Sequence, residues 1–83
     1  MKPKIRFRKL GKDVAGECDY KNEVITINLY NDLKPIGLIY LHEMAHWEHP
    51  EWDEDEVIAY SLIRWRSLTG SERLKIYRKI FGG

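Results

Sequence analysis

All three histidines of this chain lie in the segment LHEMAHWEHP, residues 41–50. His42 and His46 are four positions apart, and Glu43 directly follows the first of them. Residues four apart lie on one face of an α-helix, so both imidazoles can be directed at one point. Imidazole nitrogens bind zinc at about 2.0–2.1 Å. The spacing therefore predicts a metal site on His42 and His46, with Glu43 beside it to take a proton from a bound water.

The surrounding residues favour a metal ion over a solvated helix edge. Residues 36–47, IGLIYLHEMAHW, are apolar on nearly every side of a helix, which predicts a buried helix. Two imidazoles and a carboxylate in such a helix destabilise it unless they are paired, and a divalent cation supplies the missing partner. The pattern H-E-x-x-H on a helix is the one that zinc metalloproteases use. There the zinc ion lowers the pKa of a bound water to roughly 7.

A catalytic zinc ion usually takes three protein ligands and keeps one position for water. Glu56 is the favoured third ligand, because it begins a helix that can pack across the first one. Small Ala59, one turn later, would permit that close approach. The alternative for Glu56 is a capping box with Asp53, in which the glutamate bonds only the N-cap amide. The other side chains that remain alternative ligands are His49, Glu51 and Glu54.

Two further side chains are candidates for stabilising a transition state. His49 lies three positions after His46, but Pro50 disfavours a helix that continues through it. A role as hydrogen-bond donor to the oxyanion formed during hydrolysis therefore suits His49 better than ligation. Tyr60, one turn beyond Glu56, could serve in the same way, although ordinary core packing is the favoured role for it.

Three strands and three helices are expected to position these residues. Alternation and β-branched residues predict strands at 4–10, 15–20 and 24–30, the last two forming a hairpin. Helices are predicted from about Pro35 to His46 or Trp47, at 54–67 and at 71–81. Asn31 or Asp32 can cap the first helix, and Pro50 ends it. This order predicts one α+β domain over residues 1–83, with a small antiparallel sheet of about three strands packed on three helices.

Three stretches of the chain resemble a known family. They are AGECDYKNEVITINL, LIYLHEMAHWEHP and DEDEVIAYSLI, and the match covers roughly residues 15–63. Together they look like the gluzincin metallopeptidases in their smallest form, and most closely like the minigluzincins and the ImmA/IrrE-like domains. The chain departs from that pattern in one respect, because only nine residues separate His46 from Glu56.

The resemblance implies a zinc-dependent endopeptidase that holds one Zn²⁺ ion. Transferred residue by residue, it implies zinc on His42, His46 and Glu56, with Glu43 as general base and acid and Ala59 in the alanine position of an E-x-x-A pattern. It also implies a peptide or protein substrate, bound in extended form by strand addition along the rim strand near residues 24–30.

The charge distribution supports an alternative of another class. Lys and Arg are concentrated in residues 2–12 and 64–79, whereas seven acids and no Lys or Arg lie between Pro35 and Ile63. The basic ends could contact nucleic acid, although a solvated face is the commoner meaning of such a pattern. The alternative is a small zinc-stabilised nucleic-acid- or protein-binding module, in which four protein ligands close the site and Glu43 is dispensable. A third reading is a latent peptidase.

The amino-acid composition predicts the cellular compartment of this chain. The chain has one cysteine, Cys18, which excludes an internal disulfide and predicts a reducing compartment, so a cytoplasmic location is expected. No apolar region typical of a signal peptide and no run of roughly 20 apolar residues is present, so no membrane partner is expected. The absence of glutamine and the 33% of charged residues are typical of thermophilic proteins.

Overall fold

The computed structural model describes residues 2–11, 13–29 and 34–82. Three strands precede three helices in this part of the chain: β1 (Lys4–Arg8), β2 (Gly16–Asp19), β3 (Val24–Asn28), α1 (Ile36–Glu48), α2 (Glu54–Ser67) and α3 (Gly70–Phe81). This order confirms the predicted α+β class, with the strands N-terminal to the helices. Among the described residues, no helix is both long enough and apolar enough to cross a membrane.

The sheet is mixed, with β3 in the middle and β1 and β2 at the edges. β2 and β3 pair antiparallel, as predicted for a hairpin. The prediction of a wholly antiparallel sheet is wrong for β1, which pairs parallel to β3 with Ile5 opposite Ile25 and Phe7 opposite Ile27. The cause is topological, because the chain passes from one edge of the sheet to the other between β1 and β2.

The central position of β3 matches its residues. Ile25 and Ile27 are 0% exposed and pack with Ile39 of α1. Thr26 and Asn28 alternate with them on the other face and are also buried. The Asn28 side-chain amide donates to the Val14 carbonyl at 2.8 Å, and its backbone amide donates to the Ala15 carbonyl at 2.9 Å. These bonds attach the segment that leads into β2 to the end of β3.

Helix α1 is buried nearly all round, as its apolar sequence predicts. None of residues 36–47 is exposed. Ile39 packs on the sheet, whereas Leu41 packs with Ile76 and Ile80 of α3. Pro35 is the N-cap and makes no side-chain capping bond. The predicted caps Asn31 and Asp32 lie outside the described residues. His49 has left the helical conformation, with φ −130° and ψ 68°, as expected for the residue before Pro50.

Helices α1 and α2 lie side by side and run antiparallel. Gly37, near the start of α1, faces the Trp65 ring near the end of α2, and a Cβ at position 37 would lie 2.4 Å from Trp65 Cζ3. The start of α2 consequently lies beside the end of α1, where the two histidines are. The Asp53 side chain caps α2 by accepting a bond from the Glu56 amide at 2.8 Å.

Helix α3 begins with a complete capping box between Thr69 and Glu72. Its buried residues are Ile76 and Ile80. Leu74 and Phe81 are also apolar residues of this helix, but they are 51% and 56% exposed. Phe81 nevertheless stacks on Phe7 of β1, with ring centroids 5.0 Å apart.

Candidate metal centre

Two histidines of α1 and one glutamate of α2 meet where the two helices lie side by side. Nε2 of His42 lies 2.7 Å from Oε1 of Glu54, and Nε2 of His46 lies 3.1 Å from Oε2 of the same carboxylate. One ligand atom from each of the three side chains lies within 4.8 Å of the other two. These three side chains therefore lie close enough to bind one metal ion.

The carboxylate at this site belongs to Glu54 and not to Glu56, the residue predicted. Helical residues two apart differ by about 200° around the axis, so the two glutamates cannot face α1 together. Val57 and Ser61 are 0% and 1% exposed, and they define the inner side of α2. Glu54 precedes them by three and seven positions and shares that side. Glu56 is exposed, and its amide bonds the Asp53 carboxylate.

The spacing of the residues after Glu54 indicates that Glu54 lies on the inner side of α2. The residues that follow it at helical spacing are Val57, Ile58, Ser61 and Leu62. Ser61 counts as polar, yet its hydroxyl donates to the Ile58 carbonyl at 3.1 Å and the side chain is buried. Ala59, expected to allow the close approach of the helices, is exposed. The E-x-x-A pattern of residues 56–59 therefore lies on the outer side of α2.

Glu43 is buried directly beside this cluster, and the residue is 6% exposed. Burial, together with the negative charges of Glu54 and Glu17, raises the pKa of Glu43 to about 7, while Lys34 opposes the rise. A carboxyl with this pKa can both take and return a proton near neutral pH. A cation bound next to it would lower the pKa and favour the carboxylate.

Gly16 of β2 provides the space that the Glu43 side chain occupies. A Cβ at position 16 would lie 3.0 Å from Cγ and 3.1 Å from Oε2 of Glu43, and 3.0 Å from the Thr26 carbonyl oxygen. All three distances are shorter than ordinary van der Waals contact. Gly16 could not be identified from the sequence, because Glu43, its neighbour in space, is far away in the chain.

His42 is suited to ligation by its protonation as well as by its position. Burial lowers the pKa of His42, and the nearby Glu54 carboxylate opposes that effect. The neutral imidazole is the form that binds metal, so a lowered pKa keeps His42 ready at neutral pH. The His42 and His46 rings lie 5.0 Å apart, centroid to centroid, with 67° between their planes.

His49 and Tyr60 lie away from this centre. His49 stacks on Trp52 at 3.8 Å between centroids, and its Nδ1 lies 3.5 Å from a Glu51 carboxylate oxygen. The Tyr60 ring packs edge-on against Trp52, and its hydroxyl accepts a bond from Arg64 at 3.2 Å. Neither residue lines the cavity that contains His42 and His46. In the structure, both side chains therefore pack around the connection between α1 and α2, outside that cavity.

The centre opens into a cavity of about 860 Å³ bounded by β2, α1 and α2. Its polar lining includes the cluster itself and Glu43, and its apolar lining includes Leu38, Ile58 and Leu62. β2 is an edge strand, so one side of its backbone is unpaired within the sheet. The rim strand predicted near residues 24–30 corresponds to β3, which is paired on both sides and cannot add another strand. The free edge next to the cavity is that of β2.

Comparisons of this chain with protein-family models, with curated proteins and with solved structures found no match. What the site does must therefore be inferred from its own residues. Two imidazole nitrogens and one carboxylate oxygen form a donor set that suits zinc. In the structure both Nε2 atoms already point at one carboxylate, which is the convergence that a shared ion requires.

Proposed function

We propose that this protein is a zinc-dependent peptidase of the minimal gluzincin type. The observation that carries the proposal is the convergence of His42, His46 and Glu54 at the edge of a cavity, with Glu43 buried next to them. His42 and His46 would hold the ion through Nε2, and Glu54 would hold it through its carboxylate. A zinc ion at this position would supply Lewis-acid activation of water and of a peptide carbonyl.

Glu43 is the acid–base residue in this proposal. Its carboxylate takes a proton from the water that attacks the peptide carbonyl, and the carboxyl then gives the proton to the leaving amine. Glu43 is next to His42 in the chain but is not one of the three clustered ligands, which leaves its carboxyl group available for proton transfer. Its position against Gly16 keeps the carboxyl at the wall of the cavity.

The substrate is proposed to be a peptide or an unfolded segment of a protein, bound in extended form. The free edge of β2 offers backbone amides and carbonyls for strand addition, and residues Gly16–Asp19 line the cavity. A peptide added there would lie beside α1 and bring a carbonyl near the centre. A cytoplasmic location, predicted from the single cysteine, stays part of the proposal.

The decisive experiment separates metal binding from hydrolysis. Protein purified without a His tag is assayed for zinc content and for cleavage of a quenched-fluorescence peptide library. Glu43→Gln should keep one zinc ion per chain and lose hydrolysis, whereas His42→Ala should lose both. Hydrolysis that persists in Glu43→Gln, with contaminating proteases excluded, would refute the role of Glu43.

A binding module without catalysis remains the second candidate, because Lys4, Arg6 and Arg8 are all exposed on the edge strand β1. That function predicts salt-sensitive binding of DNA or RNA and no peptide cleavage. It also predicts that Glu43→Gln leaves the binding unchanged. The same set of proteins therefore distinguishes the two functions.

A further inference from the structure

The end of α1 contains a carbonyl that the helix itself cannot satisfy. In an α-helix the carbonyl of one residue accepts a bond from the amide four positions later. For His46 that position is Pro50, which has no backbone N–H. The backbone carbonyl of the ligand His46 therefore accepts no hydrogen bond from within the helix.

Tyr20 supplies a donor at this carbonyl. Its hydroxyl donates to the backbone oxygen of His46. Tyr20 directly follows β2, so the bond joins the edge strand to the last turn of α1. The Tyr20 ring also stacks on Trp47, with centroids 5.7 Å apart and 8° between the planes. The hydroxyl and the ring thus contact two consecutive residues of the same turn.

The backbone of His46 determines where its imidazole lies. The ring must point at Glu54 and His42 for the three ligand atoms to converge, and a rotation of the last turn would move it away. Bonds from outside the first coordination sphere commonly fix ligand orientation in metal sites, and their loss costs roughly 10–100-fold in metal affinity. Here the outer bond goes to the ligand's backbone and not to its ring.

We propose that Tyr20 is a positioning residue for the metal ligand His46. Its hydroxyl replaces the hydrogen bond that a backbone N–H at position 50 would donate to the His46 carbonyl, and that Pro50 cannot donate. This inference rests on the proposed metal site. Tyr20 also lines the cavity and is 48% exposed, which would suit a direct contact with substrate. Its hydroxyl is already bonded to the His46 carbonyl, so positioning is the role that the geometry favours.

Tyr20→Phe tests the proposal because it removes the hydroxyl and keeps the ring that stacks on Trp47. Tyr60→Phe is the matched control, since it removes a hydroxyl that lies outside the cavity. The zinc dissociation constant is measured by competition with a chromogenic chelator, and the visible spectrum of the Co²⁺-loaded protein reports ligand geometry. We expect Tyr20→Phe to raise the dissociation constant about 10-fold and to alter the Co²⁺ spectrum. Tyr60→Phe should change neither.

Thermal unfolding with and without zinc gives a second readout of the same bond. If Tyr20 positions the ligand, Tyr20→Phe lowers Tm more in the zinc-loaded protein than in the metal-free protein. An equal loss of Tm in both forms, with an unchanged dissociation constant and Co²⁺ spectrum, would show a merely structural bond and overturn the proposal. A starting protein that binds no zinc at all would instead overturn the metal site itself, so the two failures are distinguishable.

Discussion

At the scale of single residues, the centre depends on which side of a helix each side chain occupies. Glu54 and Glu56 belong to the same helix and have the same chemistry, yet only Glu54 faces the two imidazoles. Gly16 has no side chain and so leaves space for the side chain of Glu43, and burial raises the pKa of Glu43. Each of these features leads to an expected outcome.

Replacement of the two glutamates of α2 should affect zinc affinity in one case and not in the other. Glu54→Gln removes a charged oxygen from the three-atom cluster, so we expect zinc affinity to fall by more than the roughly 10–100-fold typical of an outer contact. Glu56→Gln is the matched control and should change zinc affinity by less than about twofold. Glu56 contacts Asp53 through its backbone amide, which the substitution keeps. Isothermal titration calorimetry with zinc measures both. Equal losses in the two variants would contradict the assignment of Glu54.

Gly16→Ala should impair catalysis without removing the metal. The added Cβ would lie within 3.1 Å of Glu43 atoms and would displace that carboxyl. We expect kcat to fall by roughly 10²–10⁴-fold, the range that acid–base groups contribute, while zinc stoichiometry stays at one. Gly70→Ala is the control, because a Cβ there meets nothing within 4 Å. Undiminished kcat in Gly16→Ala would show that Glu43 does not need this space.

Ionisation of Glu43 should destabilise the metal-free protein as the pH rises from about 4.5 to about 7. The folded-state pKa of Glu43 is raised to about 7 from an ordinary 4.5, mainly by burial. Within this window the unfolded chain releases its proton before the folded chain does, so ionisation favours unfolding. The difference corresponds to about 3 kcal/mol at most. Urea denaturation in EDTA across this range measures the slope, and Glu43→Gln should abolish that contribution.

At the scale of elements, the contact of α1 with α2 places Glu54 beside the histidines. Gly37→Ala tests this contact, because its Cβ would lie 2.4 Å from the Trp65 ring. Alanine is the better helix former by roughly 0.5–1 kcal/mol, but the clash should outweigh that gain and destabilise the fold by about 1–3 kcal/mol. Urea denaturation gives the free energy of unfolding. A more stable Gly37→Ala protein would contradict the packing described for α1 and α2.

The helices and the hairpin could be predicted from the sequence, because their signals are local. The apolar run of α1, Pro50 after its end and the Thr69–Glu72 capping box each act within a few residues. The parallel pairing of β1 could not be predicted, since nothing in Lys4–Arg8 specifies a distant partner. The sequence favours Glu56 and leaves Glu54 only as an alternative ligand for a related reason, because the rotation of α2 about its axis is fixed by tertiary burial of Val57 and Ser61.

At the scale of the whole molecule, a chain of 83 residues has a small core and would gain stability from a bound ion. Zinc at about 1,000 times its dissociation constant stabilises the folded state by about 4 kcal/mol if it binds that state alone. For a domain of this size we expect Tm to rise by about 15 °C or more. Differential scanning calorimetry measures the shift, and His42→Ala should abolish it. An equal shift in His42→Ala would indicate zinc bound elsewhere.

In the mechanism that we propose, one ion is held by His42, His46 and Glu54 while Glu43 stays free for proton transfer. A crystal structure of the zinc-loaded protein, with anomalous data collected at the zinc absorption edge, tests it most directly. We predict a single anomalous peak within bonding distance of those three side chains, with a fourth position open to the cavity and the Glu43 carboxyl not coordinated. No peak at this position would contradict the proposed metal site, and a zinc ion bound by four protein ligands would contradict catalysis at it.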